Sequence, residues 1–373
     1  MKKILILTAS YGSGHLTAAR YLNEAIRQIG GYPEEVETEV LDLVKIGNPL
    51  ITNFARNYYE KSVEYCPSLW DLTYRLTNCK QIFRIMNIFT EPFYKPFYQL
   101  FNEKRPDLLI STHPYWNYIL EVYNEKFNQK IKYLMVITDS ISIHYSWLSE
   151  LVNYYFVPNQ DTAEVIINQG VNPEKIKVFG FPVNPELGEP FNRNKFLNDL
   201  GLNSEVPTIL FTLGLGKIEK LLAVIKKLSN YVGLPGQIMV ICGKYENVYQ
   251  ELSKRKYFPS TRIFSWVDNM ANYLRAADLV VTKAGGAIVT ECLAAGKPII
   301  ITHITPGQEE GNAELIKKHE LGYVETEPDK IVSLIVKLVN SPEKIKELQN
   351  RVKKFSLPDA ACRIAKFVVN KFY

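Results

Sequence analysis

An α/β protein of two domains, each built on a parallel sheet, is what this sequence predicts, and three observations carry the prediction. Short, wholly apolar runs such as residues 4–7 and 279–281 lack the alternation of a half-exposed strand and read as buried parallel strands. Several of these runs end in Gly-rich turns that open a helical period: Gly12-Ser13-Gly14-His15 in the first half, Gly214-Leu215-Gly216-Lys217 and Lys283-Ala284-Gly285-Gly286 in the second. The same strand-turn-helix order therefore opens both halves of a chain whose 373 residues suffice for two cores.

Composition narrows the class. With 46% hydrophobic and 22% charged residues the chain is globular, not disordered. Forty-four Lys and Arg against 39 Asp and Glu leave a net charge of +5, which suits an anionic membrane surface or phosphorylated ligands and does not call for nucleic acid. The five cysteines, at 66, 79, 242, 292 and 362, form no Cys-x-x-Cys pair and read as reduced, cytosolic thiols. Lys2-Lys3 precedes too short an apolar run for a signal peptide, and no 18 apolar residues run together, so the expected membrane contact is peripheral.

In order, residues 4–7 read as a strand, 16–29 as a helix stopped by Gly30-Gly31, and 36–43 as a second strand. Gly12-x-Gly14 lacks the third glycine of a dinucleotide fingerprint, Thr17 standing in its place, and no Gly-Lys-Ser/Thr is present for a P-loop. What remains is a histidine, His15, at a helix start.

Residues 43–105 are dense in aromatics, and nine Lys or Arg oppose five Asp or Glu. Such a segment either lies in the headgroup region of a membrane or forms the core of a helical insertion, and both alternatives stay open. Strands at 106–111 and 133–137 then deliver Thr112-His113-Pro114 and Thr138-Asp139-Ser140, followed by His144 and Trp147. Ligands of open α/β sheets bind beyond the carboxyl ends of strands, so His15, His113, Asp139 and His144 are expected at one crevice. A carboxylate beside imidazole raises its basicity, a role open to Asp139. Strands at 154–157 and 176–179 close a first domain, residues 1–185; a linker at 186–206 and a second domain at 207–355 follow, and 356–373 holds a last helix.

In the second domain the amides of Gly285, Gly286 and Ala287 start a helix just past a strand, where unpaired N–H groups and the helix dipole suit a phosphate or diphosphate. Lys283 adds a full charge. Glu291, five residues beyond Gly286, is placed for a ribose diol, and the 307–312 loop, with Gln308, Glu309 and Asn312, supplies amides and carboxylates for sugar hydroxyls.

Residues 280–312, with Lys283, Glu291, Gln308, Glu309 and Asn312 in that order and spacing, resemble the donor half of the monogalactosyldiacylglycerol synthase and diacylglycerol glucosyltransferase family, relatives of the peptidoglycan glycosyltransferase that adds N-acetylglucosamine to lipid I. Gly12 to His15 and Thr138 to Trp147 are similar to the N-domain of that family. The resemblance implies a GT-B fold: two facing Rossmann-like domains with an interdomain cleft, the last helix crossing back to the first. It also implies an inverting transfer of glucose or galactose from a UDP-sugar to the 3-hydroxyl of 1,2-diacylglycerol, by an enzyme on the inner face of the cell membrane. His15 would be the base, with Gly12, Gly14, His113, His144 and Trp147 on the acceptor side. Gly214, Gly216 and Lys217 would contact the diphosphate, and Val267 main-chain groups would read the uracil edge. No metal or other cofactor is expected, because the chain has no Asp-x-Asp and the helix end with Lys283 takes over charge neutralisation. Two alternatives share the donor half: a transferase with a polyprenyl-linked acceptor, and an isomerase like the UDP-N-acetylglucosamine 2-epimerases.

Overall fold

The computed structural model describes residues 2–31, 35–79, 94–214 and 218–373, which fall into two compact units. Unit 1 comprises Met1–Val183, Pro306–Gly311 and Asp359–Tyr373; unit 2 comprises Asn184–Thr305 and Asn312–Pro358.

Unit 1 is built on six parallel strands, β1 (Lys2–Thr8), β2 (Val36–Asp42), β3 (Leu108–Ser111), β4 (Lys132–Val136), β5 (Tyr154–Val157) and β6 (Ile176–Val178), in the order β2-β1-β3-β4-β5-β6. The apolar run of β1 is what makes it central: Ile4, Leu5, Ile6 and Leu7 are all buried, and such side chains contribute about 1.5–3 kcal/mol each by leaving water. Because β2 and β3 lie on opposite sides of β1, the connections diverge beyond its carboxyl end, and a crevice opens there. The Ser13–Ile29 helix starts at that point. Its far end is fixed by Gly30, where a Cβ would stand 2.8 Å from the Ile26 carbonyl oxygen. The C-terminal helix, Ala360–Phe372, buries Ala361, Ile364, Ala365 and Val368 in the same core as Ile4, Ile6, Leu22 and Phe156. The end of the chain thus completes the first unit.

The aromatic, basic segment is buried in one part and exposed in another. Phe97, Tyr98 and Phe101 of the Lys95–Lys104 helix are buried in the core beside Trp116 and Tyr123. The Pro67–Thr77 helix buries no residue fully: Leu69, Leu72 and Leu76, at i, i+3 and i+7, are 44%, 54% and 55% exposed. On the same helix, Trp70 packs edge-on to Tyr59 of the Pro49–Tyr65 helix, ring centroids 5.0 Å apart. Phe83, Phe89 and Phe93 lie outside the described residues. Among the described residues, no helix is long and apolar enough to cross a membrane.

Unit 2 repeats the plan with β7 (Thr208–Thr212), β8 (Gln237–Ile241), β9 (Thr261–Phe264), β10 (Leu279–Lys283), β11 (Ile299–His303) and β12 (Gly322–Val324), ordered β12-β11-β10-β7-β8-β9 and parallel throughout. Here the switch falls between β7 and β10, so the loops after those two strands flank one crevice. Residues 186–206 are not a free connection. They carry the Arg193–Asp199 helix, and Arg193 pairs with Asp278 at 2.6 Å while donating to the carbonyls of Ala276 and Ser204. That network ties the segment to the start of β10.

Candidate active site

In unit 1 the switch point brings His15, His113 and Thr138 together. His15 Nδ1 lies 2.9 Å from the Thr112 carbonyl oxygen and 2.8 Å from Thr138 Oγ1. A carbonyl oxygen only accepts, so Nδ1 carries the proton of the neutral ring and Nε2 keeps the basic lone pair. The clamp is reciprocal, Thr112 Oγ1 donating to the His15 carbonyl at 3.0 Å. Burial disfavours the imidazolium and brings His15 down to about 4, against the smaller opposing pull of the Thr112 carbonyl. His15 is therefore a neutral, oriented imidazole.

Asp139 does not orient His15 as expected, because Nδ1 is held by Thr112 and Thr138. Its Oδ2 instead accepts from Trp147 Nε1 at 2.8 Å, and the Trp147 ring lies 5.9 Å from the His15 ring. Burial raises Asp139 to about 6, with the Trp147 bond opposing and Glu309 adding to the rise. Asp139 thus holds the fully buried Trp147 beside His15.

The remaining histidines separate by their partners. His113 packs 4.5 Å from His15 and accepts from the Tyr115 amide at its Nδ1; burial, then the nearness of His15, hold it well below the usual imidazole range. His144 caps the short Tyr145–Trp147 helix by accepting from the Ser146 amide, and its Nε2 lies 3.2 Å from Thr77 Oγ1. His144 thus links this loop to the Pro67–Thr77 helix. Gly12 begins the Ser13–Ile29 helix with open space on the side where a Cβ would point, and Gly14 lies in its first turn.

The 306–311 segment belongs to this unit. Gly307, at φ +78, lies against the Tyr74 ring, and a Cβ on Gly311 would overlap the Ser140 carbonyl. Gln308 Nε2 donates to Tyr59 Oη at 2.6 Å, and Glu309 is buried.

In unit 2 the loops after β7 and β10 converge within the unit. A Cβ on Gly214 would stand 3.2 Å from Lys283 Cδ and Cε, so glycine there leaves room for the lysine stem to pass. Gly216 and Lys217 lie outside the described residues. Gly285 caps the Gly286–Ala294 helix in extended conformation with no side chain on its first amides, which leaves the amide end that suits an anion. Burial alone lifts Glu291 to about 7, and its carboxylate takes no partner among the described residues. Asn312, by contrast, is buried and donates Nδ2 to the Ala284 carbonyl at 2.9 Å, which braces the turn. Val267 follows β9 in a loop beside the 69% exposed Trp266, and its N–H and C=O take no partner among the described residues. Among the described residues, no three His, Cys, Asp or Glu side chains cluster as a metal site.

The monogalactosyldiacylglycerol (MGDG) synthase family model matches residues 15–183, and the model of the glycosyltransferase family 28 C-terminal domain matches residues 208–364. The chain thus joins an MGDG synthase domain to a family 28 glycosyltransferase C-terminal domain. It is 27% identical to the processive diacylglycerol beta-glucosyltransferase of Bacillus pumilus, over 99% of this chain and 95% of that protein. The namesake from Staphylococcus epidermidis is 26% identical, over 94% and 88%. Among solved structures, Acinetobacter baumannii MurG superposes with a TM-score of 0.65 at 14% identity, covering 99% of this chain and all of that one. The fold is accordingly of the GT-B type and the protein is a glycosyltransferase. Within this family frame, sequence reasoning missed four partners of the site: Thr112, Thr138, Tyr59 and Tyr74. The first two carry a local signal, a threonine directly past a buried strand. The tyrosines are far away in sequence from what they touch.

Proposed function

We propose that the protein transfers a hexose, glucose foremost, from a UDP-sugar to the 3-hydroxyl of 1,2-diacylglycerol with inversion, on the inner face of the cell membrane. The observation that carries this reading is the tautomer of His15: a neutral imidazole with Nδ1–H spent on Thr112 presents Nε2 to an acceptor hydroxyl. Relatives named as diacylglycerol beta-glucosyltransferases, aligned over nearly the whole chain, support the acceptor and favour glucose over galactose.

In this reading His15 takes the hydroxyl proton as the glyceryl oxygen attacks the anomeric carbon in a single displacement. The leaving diphosphate meets the amides of Gly285, Gly286 and Ala287 with Lys283, Gly214, Gly216 and Lys217; oriented donors of this kind contribute a few kcal/mol each in a dry site. Glu291 receives the ribose hydroxyls, Val267 the uracil edge, and Gln308 with Glu309 the hexose. Leu69, Leu72 and Leu76 meet an anionic lipid surface.

The test is UDP release and lipid product formation with diacylglycerol vesicles and UDP-glucose or UDP-galactose. Glucosyl-diacylglycerol with unchanged rate in EDTA is the expected result. Conversion of the donor without acceptor, or transfer only to a polyprenyl-linked acceptor, would replace this reading by one of its two alternatives.

A second measurement concerns Glu291. With the carboxyl raised to about 7, the charged form that accepts from a ribose diol grows as pH rises from 6 to 8. Affinity for UDP-glucose, whose diphosphate is esterified at both ends and does not titrate there, should rise over that interval. Glu291→Ala should weaken it about 10- to 100-fold, the loss of hydrogen bonds to a charged group, and abolish the pH dependence. Calorimetric titration at three pH values decides.

A further inference from the structure

We propose that Tyr59 is a positioning residue for hexose selection, acting through Gln308; this rests on the reading of Gln308 as a hexose contact. The Tyr59 hydroxyl takes the Gln308 Nε2–H at 2.6 Å, a contact between residues 249 apart in sequence. The Gln308 backbone is fixed as well, its N–H donating to the Pro306 carbonyl at 3.1 Å. With one end of the amide at Tyr59 and the backbone held at Pro306, the side-chain amide is fixed in place, the phenol hydroxyl holding it by accepting from Nε2. Tyr74 against Gly307 and Arg75, 3.8 Å from Glu310, hold the two ends of the same short segment. Trp70 packs on the Tyr59 ring and limits its swing.

The chemistry of this arrangement is discrimination between epimers. A hexose and its 4-epimer differ in the direction of one hydroxyl, and a mobile amide can follow that hydroxyl to either position. An amide held in one place meets that hydroxyl in one direction only, so the wrong epimer leaves a polar group unpaired. The helical insert, by this inference, is a determinant of donor choice as well as a lipid-facing element.

The experiment compares wild type, Tyr59→Phe, Gln308→Ala and the double variant for UDP affinity, melting temperature, and the ratio of kcat/KM for UDP-glucose to that for UDP-galactose. Tyr59→Phe is expected to lower that ratio about 3- to 10-fold, the worth of one neutral hydrogen bond, with UDP affinity and melting temperature unchanged. In the Gln308→Ala background the same change should do nothing, since coupled residues are not additive. An unchanged ratio, a Tyr59→Phe effect that persists without Gln308, or equal losses in UDP affinity and stability would overturn the inference. Wild-type protein that fails to bind UDP would instead overturn the donor assignment itself.

Discussion

His15→Ala is expected to lower turnover by about 10²- to 10⁴-fold while UDP-glucose affinity and melting temperature stay near wild type. The expectation follows from what holds the ring: Nδ1 donates to the Thr112 carbonyl, so the only basic nitrogen is Nε2, and alanine removes it without exposing a strand of the core. In the proposed mechanism His15 acts on the acceptor while the donor meets the amides of Gly285 and Gly286, so binding is expected to survive the substitution. The pH profile gives an independent sign. Burial brings His15 down to about 4, below its unfolded value of 6.5, so the neutral base persists through mild acid and the folded state is penalised only as pH falls from 6.5 through 4. At saturating donor, kcat should therefore hold to near pH 4, whereas Glu291 imposes its limb near 7 on kcat/KM for the donor. Turnover within tenfold of wild type in His15→Ala would move the base role to another residue.

Gly311→Ala is expected to destabilise the first unit by about 3 kcal/mol, at the upper end of overpacking costs. Its Cβ would overlap the Ser140 carbonyl oxygen and stand 2.5 Å from the Ser142 amide, both backbone atoms with no rotamer to escape into. The neighbouring turn has no slack: Ile141, a β-branched residue, sits at φ +59, and the Ser142 amide bonds the Ser140 carbonyl at 2.6 Å across it. Relief must come from moving the segment that carries Gln308 or the loop that carries Asp139, so donor kinetics should worsen together with stability. Gly188→Ala is the control, its Cβ at an ordinary 3.5 Å from Pro358, and should change stability by less than about 0.5 kcal/mol. Thermal unfolding of the two variants side by side checks the prediction; equal melting temperatures would show that the 306–311 segment is not packed as described.

Local sequence was sufficient wherever the physics is local. The buried runs at 4–7, 209–211 and 279–281 form central strands because an apolar stretch with no polar face has only a sheet interior to occupy. The Gly-rich turns at 12–14 and 284–286 lie at strand ends because small residues are needed where a chain leaves a sheet and starts a helix with bare amides. β9 and β12 were illegible for the opposite reason: β9 is half-exposed, and β12 is a three-residue edge strand containing Gly322. What only the tertiary structure decided is who touches whom. The proton on His15 is placed by a carbonyl 97 residues away, and Gln308 is held by a tyrosine 249 residues away. Asp139 is bonded to Trp147 and Asn312 to Ala284, partners that spacing alone does not indicate. Residue type and spacing specify which groups are available near a strand end, but a hydrogen bond is satisfied by whichever partner folding brings within about 3 Å, and that choice is made by the packing of distant segments.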